Sequence, residues 1–156
     1  MAAEQESELR AEFVNESSDL LQRLGEQLVE LERRPDDRDL LNAVFRGFHT
    51  IKGGAGFFGL AAMVALCHAS EDVFNALRAG RKTLTPDIMD VVLEALDDVR
   101  AMLDAVAQDT AMPAAREDLV ERLHACAEAD AAPAPVVETK AAAPAGAAGL
   151  APSAPD

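Results

Sequence analysis

Tryptophan and tyrosine are missing from these 156 residues, and aromatics make up only 4% of them. Sandwich and barrel cores draw heavily on such side chains, so their scarcity argues against an all-β protein. It also leaves no platform on which nucleobases could stack. Basic residues are scarce too, 14 against 28 acidic, for a formal net charge of −14. Thirteen of the 14 and 26 of the 28 lie in residues 1–130, so the acidity belongs to the part able to fold. Such a field repels nucleic acid and anionic membranes. Cysteine appears twice, Cys67 and Cys126, too few and too far apart for a disulfide framework or a Cys-based zinc site. The opening MAAEQESELR carries no apolar signal region, and no run approaches membrane-spanning length. A soluble, cytoplasmic chain with reduced thiols is the expectation.

What the sequence does hold is helix-forming: Ala, Leu, Glu and Arg dominate, the residues that lose least on entering a helix. From about Ser7 to Glu32, Leu9, Phe13, Leu20, Leu24, Leu28 and Leu31 form an apolar stripe with Ser17 as its polar gap. RRPDDR (Arg33 to Arg38) breaks it. A second helix starts near Asp39, turns Leu41, Val44, Phe45, Phe48, Ile51 and Ala55 inward, and ends within GAGFFG. A third runs from about Leu60 to Ala79, with Leu60, Met63, Val64, Cys67, Phe74 and Leu77 inward and Gly80 as its stop. Thr85-Pro86-Asp87 is a strong helix start, followed by Ile88, Val92, Leu96, Val99, Leu103 and Val106 at spacings of four and three. A short fifth helix after Pro113 turns in Leu119, Leu123 and Cys126 or Ala127.

Residues 131–156 are rich in Ala and Pro and poor in large apolar side chains, the composition of a disordered linker. The predicted organisation is a domain over 1–130 and a flexible tail over 131–156. The predicted fold is all-α: an antiparallel four-helix bundle with a fifth accessory helix.

Against this background the stretch FHTIKGGAGFFGL, Phe48 to Leu60, stands out, with a histidine, a lysine three residues later and four glycines. On a wheel of about 100° per residue with Leu41 at zero, the apolar stripe of the second helix centres about 40° to one side. His49 falls about 80° to the other side and faces solvent; Lys52 falls at about 20°, where its stem can lie on the bundle. Gly53 and Gly56 flank the stripe of the histidine. Each helical glycine costs about 1 kcal/mol relative to alanine. Here the two clear side chains from the surface beside the imidazole, which suits the approach of a second macromolecule. In the third helix His68 and Glu71 share one edge, one turn apart. If these two helices form an antiparallel hairpin, a carboxylate can reach one ring nitrogen of His49 and fix its tautomer. The other nitrogen then presents its lone pair outward as a nucleophile, with Lys52 placed to meet a phosphoryl group.

A lone helical histidine is by default a surface or structural residue; the glycines and Lys52 in register with it favour a phosphorylatable one. The glycines lie inside a helical run rather than after a strand, so they are not a P-loop, and the sequence offers no ATP pocket. Zinc ligation by His49, His68 and Glu71 is the rival chemistry, opposed by the lysine beside the site. An interaction bundle whose histidine is never modified is the other alternative. Cys67, Cys126, Met63, Met89 and Met102 read as packing residues, and His124 is assigned no role.

NAVFRGFHTIKGGAGFFGL, Asn42 to Leu60, resembles the signature of the histidine-containing phosphotransfer (HPt) domain of CheA-type chemotaxis kinases, and the likeness extends over about residues 8–127. The resemblance implies that His49 is the phosphorylated residue, Lys52 its phosphate-side partner, and His68 and Glu71 its hydrogen-bonding neighbours. It implies two-component signalling in which the phosphate comes from ATP bound to a separate kinase domain. It then passes to an aspartate of a response regulator of CheY or CheB type, which brings its own Mg²⁺. No cofactor is implied for this chain, which is expected to be a monomeric phosphoacceptor and donor within a kinase; a stand-alone phosphorelay shuttle is the alternative. The Ala/Pro segment resembles the linker that in CheA leads to a regulator-docking domain.

Overall fold

Five helices follow one another in the computed structural model, which describes residues 2–128: α1 (Ala2–Arg33), α2 (Arg38–Phe57), α3 (Ala61–Arg78), α4 (Pro86–Gln108) and α5 (Glu117–Ala127). Their ends are set by local chemistry. Asp37 caps α2 by accepting a hydrogen bond from the Leu40 amide (3.1 Å). Thr85 caps α4 by accepting from the Ile88 amide (3.2 Å), with Pro86 in the first turn. At the end of α2 the chain turns through Gly59, at φ 69°, which a side chain would resist. There the Leu60 amide donates to Ala55 (2.9 Å) and the Gly59 amide to Gly56 (3.1 Å), a Schellman arrangement. Gly80 (φ 80°) closes α3 in the same way.

The contact pattern defines the bundle. α1 packs against α2 and α4, α2 against α3, and α3 against α4; the backbones of neither diagonal pair, α1 with α3 or α2 with α4, come within 8 Å between Cα atoms. Four helices in a closed ring with short connections are antiparallel neighbours. α5 lies outside the ring, against α3 and α4, with Leu119 and Leu123 fully buried. Arg116 and Arg122 on its side bind Glu94 of α4 at 2.9 and 2.8 Å. These guanidiniums hold the Glu94 carboxyl below its usual range, Arg122 most strongly, at an exposed position that salt screens.

The core departs from the predicted stripes in places. α1 begins at Ala2 rather than near Ser7, because its Ala-, Glu- and Gln-rich start costs little to make helical. Its buried face is Phe13, Ser17, Leu21, Leu24, Leu28 and Leu31. Ser17 is the polar gap in the stripe, as expected, but Leu21 replaces Leu20, since two steps of four from Phe13 reach position 21. Leu9 is 46% exposed, because the first turns of α1 bury nothing. Phe45, Leu60 and Val64 are half-buried rather than core. On α3 the buried face is wider than expected and includes Leu66, Ser70 and Glu71.

Gly47 and Gly54 turn out to be packing positions. A Cβ at Gly47 would lie 2.7 Å from Leu24, and one at Gly54 2.6 Å from Phe13, so both let α1 and α2 approach closely. No helix among the described residues is long and apolar enough to cross a membrane. The Ala/Pro-rich tail lies outside the described residues.

A candidate phosphoacceptor site on the seam of α2 and α3

The tight link at Phe58–Leu60 folds α3 back along α2. His49 stands eight residues before the end of α2 and Glu71 ten residues after the start of α3. At 1.5 Å per residue these are about 12 and 15 Å from the turn, so the two side chains meet at one level. The imidazole Nδ1 of His49 donates to Oε2 of Glu71 at 2.5 Å, and the Lys52 ammonium lies 2.6 Å from Oε1 of the same carboxylate. The lysine contact is an ion pair whose angles fall outside those of a hydrogen bond, so Oε1 has electrostatic compensation but no formal donor.

Burial divides the three. Glu71 is only 4% exposed, whereas the His49 side chain is 63% and the Lys52 side chain 26% exposed. A carboxylate so deep in a helical interface needs opposite charge and hydrogen bonds, and the two α2 side chains provide them. In return, the buried acceptor fixes the proton on Nδ1. Nε2 of His49 then carries a lone pair on the solvent side of the ring. Glu71 also acts on its α3 neighbour Cys67, whose thiol is pushed up to about 12, first by burial and then by the Glu71 charge, with Lys52 opposing.

His49, Lys52 and Glu71 are therefore one constellation. His68 is not joined to it by a hydrogen bond or ion pair; it sits on the outer edge of α3, its side chain 58% exposed and Nε2 4.0 Å from Asp72. A Cβ added at Gly53 or at Gly56 would meet nothing within 4 Å, so the surface on the C-terminal side of the histidine is open. Among the described residues no group of three or more His, Cys, Asp or Glu side chains converges as a metal site.

Sequence reading missed the wall behind the imidazole. Phe45, one turn before His49, lays its ring nearly parallel to the imidazole (9°, centroids 6.2 Å apart). The Arg78 guanidinium sits over that phenyl ring, 3.8 Å from its centroid. The i, i+4 spacing of Phe45 and His49 is visible in the sequence, but the place of Phe45 on the apolar stripe points it to the core. Arg78 gave no local signal, because it reaches the site only through the folding of α3 onto α2.

Comparison with known proteins fits this geometry. The family model described as the Hpt domain matches residues 8–109. The chain is 45% identical over 96 residues to the sensor histidine kinase CheAY of Helicobacter pylori, covering 62% of this chain and 12% of that relative's length. Among solved structures, a histidine phosphotransfer domain of CheA aligns with TM-score 0.71 at 28% identity, over 81% of this chain and 96% of that one. The phosphorylated P1 domain of CheA3 from R. sphaeroides, determined in complex with CheY6, aligns with TM-score 0.68 at 25% identity, over 76% and 94%.

Proposed function

The chain belongs to the Hpt domain family, and on that footing we propose that His49 takes a phosphoryl group from a CheA-type kinase domain and hands it to a response regulator. The observation that carries this reading is the His49–Glu71 contact, which commits Nδ1 and leaves Nε2 exposed as the nucleophile. In the first step the Nε2 lone pair attacks the γ-phosphorus of ATP held by the partner. An N–P bond forms, the P–O bond to the departing ADP breaks, and the positive charge developing on the ring is met by the Glu71 carboxylate. In the second step a carboxylate oxygen of the regulator attacks the same phosphorus, and the N–P electron pair returns to Nε2. The Mg²⁺ for that step belongs to the regulator.

Within this scheme Lys52 neutralises Glu71 and adds positive charge beside the ring where the phosphoryl group arrives. His68 is the outer neighbour on the α3 edge. Gly53 and Gly56 form the cleared surface against which partners dock. Partners of this kind are supported by a similar domain having been solved with CheY6. Residues 1–130 form the phosphotransfer unit and 131–156 its tether, acting in the cytoplasm as one monomeric part of a longer signalling kinase.

The test is to offer wild type and His49→Gln to a CheA kinase core with ATP. Wild type should gain an acid-labile, alkali-stable phosphate that a CheY-type regulator with Mg²⁺ removes; His49→Gln should gain none. Since His49 points outward, the variant should keep its thermal midpoint within about 3 °C. Label on His49→Gln would reject His49 as the acceptor, and none on wild type from several active kinases would reject the reading in favour of an unmodified interaction bundle.

A further inference from the structure

An imidazole tethered at one nitrogen is not yet aimed. The Glu71 contact fixes where Nδ1 lies, but a ring 63% exposed can still tilt about that contact and carry Nε2 through a wide arc. The second restraint in the structure is the face of Phe45. With the two rings 9° from parallel and 6.2 Å apart, they adopt an offset stack that resists tilting.

Phe45 is itself held. Arg78, the last residue of α3, covers its ring at 3.8 Å. Two amides orient the guanidinium: Nη1 donates to Oδ1 of Asn42 (3.3 Å) and Nε to Oδ1 of Asn75 (3.2 Å). In a chain with twice as many acidic as basic residues, Arg78 pairs with no carboxylate among the described residues. Its planar fork is committed to one aromatic face and two neutral amides, a use to which lysine is poorly suited. The column Arg78–Phe45–His49 crosses the α2–α3 seam, on which the Glu71 contact also lies.

We propose that Phe45, clamped by Arg78, is a positioning residue that holds the plane of the His49 imidazole so that Nε2 faces the incoming phosphoryl donor. The proposal rests on the phosphotransfer reading for its consequence but not for its geometry. Phe45→Leu removes the aromatic face while keeping apolar bulk, Phe45→Tyr keeps the face, and Arg78→Met keeps the stem but removes the clamp. Each would be followed by long-range ¹H–¹⁵N spectra of the His49 ring and by kcat and KM for phosphorylation by a kinase core, with the thermal melt confirming the fold.

The expected result is the Nδ1–H tautomer throughout, since the Glu71 contact is kept, with sharp ring resonances in wild type and Phe45→Tyr and exchange-broadened ones in Phe45→Leu. In Phe45→Leu, kcat should fall about two- to tenfold with KM unchanged, the rate equivalent of a lost aromatic pair. Arg78→Met should lie between Phe45→Leu and wild type. Wild-type spectra and kcat in both Phe45→Leu and Arg78→Met would overturn the proposal. So would equal losses in Phe45→Tyr and Phe45→Leu, which would mark a packing role. A mobile ring in Phe45→Leu beside a wild type that no kinase phosphorylates would uphold the positioning and reject the phosphotransfer reading.

Discussion

Glu71 of α3 receives the imidazole of His49 from α2 at 2.5 Å while being almost wholly buried itself. The pairing puts a buried acceptor behind an exposed nucleophile, so the stability of the seam and the chemistry of the ring depend on the same carboxylate.

Removing that carboxylate should therefore show in both. Glu71→Ala strands the Lys52 ammonium and unfixes the tautomer; it should lower stability by about 1–3 kcal/mol and slow phosphorylation of His49. Lys52→Ala should leave His49 modifiable but slow it about tenfold, the scale of one charge-assisted contact. Urea titration and initial rates of labelling measure the two. Unchanged rates in both variants would remove these residues from the site.

His68 stands apart from the triad at the outer edge of α3. His68→Ala should reduce the phosphorylation rate by less than about threefold, well below the effect of Glu71→Ala, with the melt unmoved. A loss as large as that of Glu71→Ala would show that His68 swings into the site during transfer.

The glycines of α2 separate into two kinds. Gly53→Ala should raise stability by up to about 1 kcal/mol, because it adds helix propensity in open space. Gly54→Ala, one residue on, should lower it by about 1–2 kcal/mol by driving a methyl into the Phe13 ring. A bulkier change, Gly53→Leu, should slow transfer to the regulator without unfolding the chain. Thermal melts and transfer assays read these outcomes, and regulator transfer unaffected by Gly53→Leu would move docking elsewhere.

The Cys67 thiol, raised to about 12 in the folded chain from 9.0, predicts a specific alkaline sensitivity. Between those values the unfolded chain has released this proton and the folded chain has not. Stability must then fall as pH rises, by at most about 1.4 kcal/mol per pH unit from this group. Urea titrations of Cys67→Ala should show a flatter decline than wild type above pH 9 and a parallel curve below it. Parallel curves throughout would contradict the assignment.

Much of this was legible in the linear pattern. The periodicity of three and four, the Thr85-Pro86 start and the Gly80 stop located the helices because those signals are local. The outward direction of His49 and the open strip at Gly53 and Gly56 followed from the wheel alone. The stripe of α1 differs at Leu20, whose place Leu21 takes, because burial depends on which neighbours a helix meets, and a wheel has no neighbours. Phe45 was only half legible for the same reason: it does pack against the core, but its outer face meets His49 and Arg78, and Arg78 lies 33 positions away.

By itself, then, the sequence determined an acidic all-helical domain, its segment ends, and a histidine displayed beside a lysine and cleared by glycines. Each of these depends on residues within a few turns of one another. Tertiary structure alone decided that the carboxylate expected near His49 does reach it while His68 stays outside, that Lys52 shares that carboxylate, and that Phe45 and Arg78 back the ring. The reason is geometric: two residues on one helix edge differ only by a turn. Which of them meets the neighbouring helix is fixed by the Phe58–Leu60 link and by how closely α2 and α3 pack.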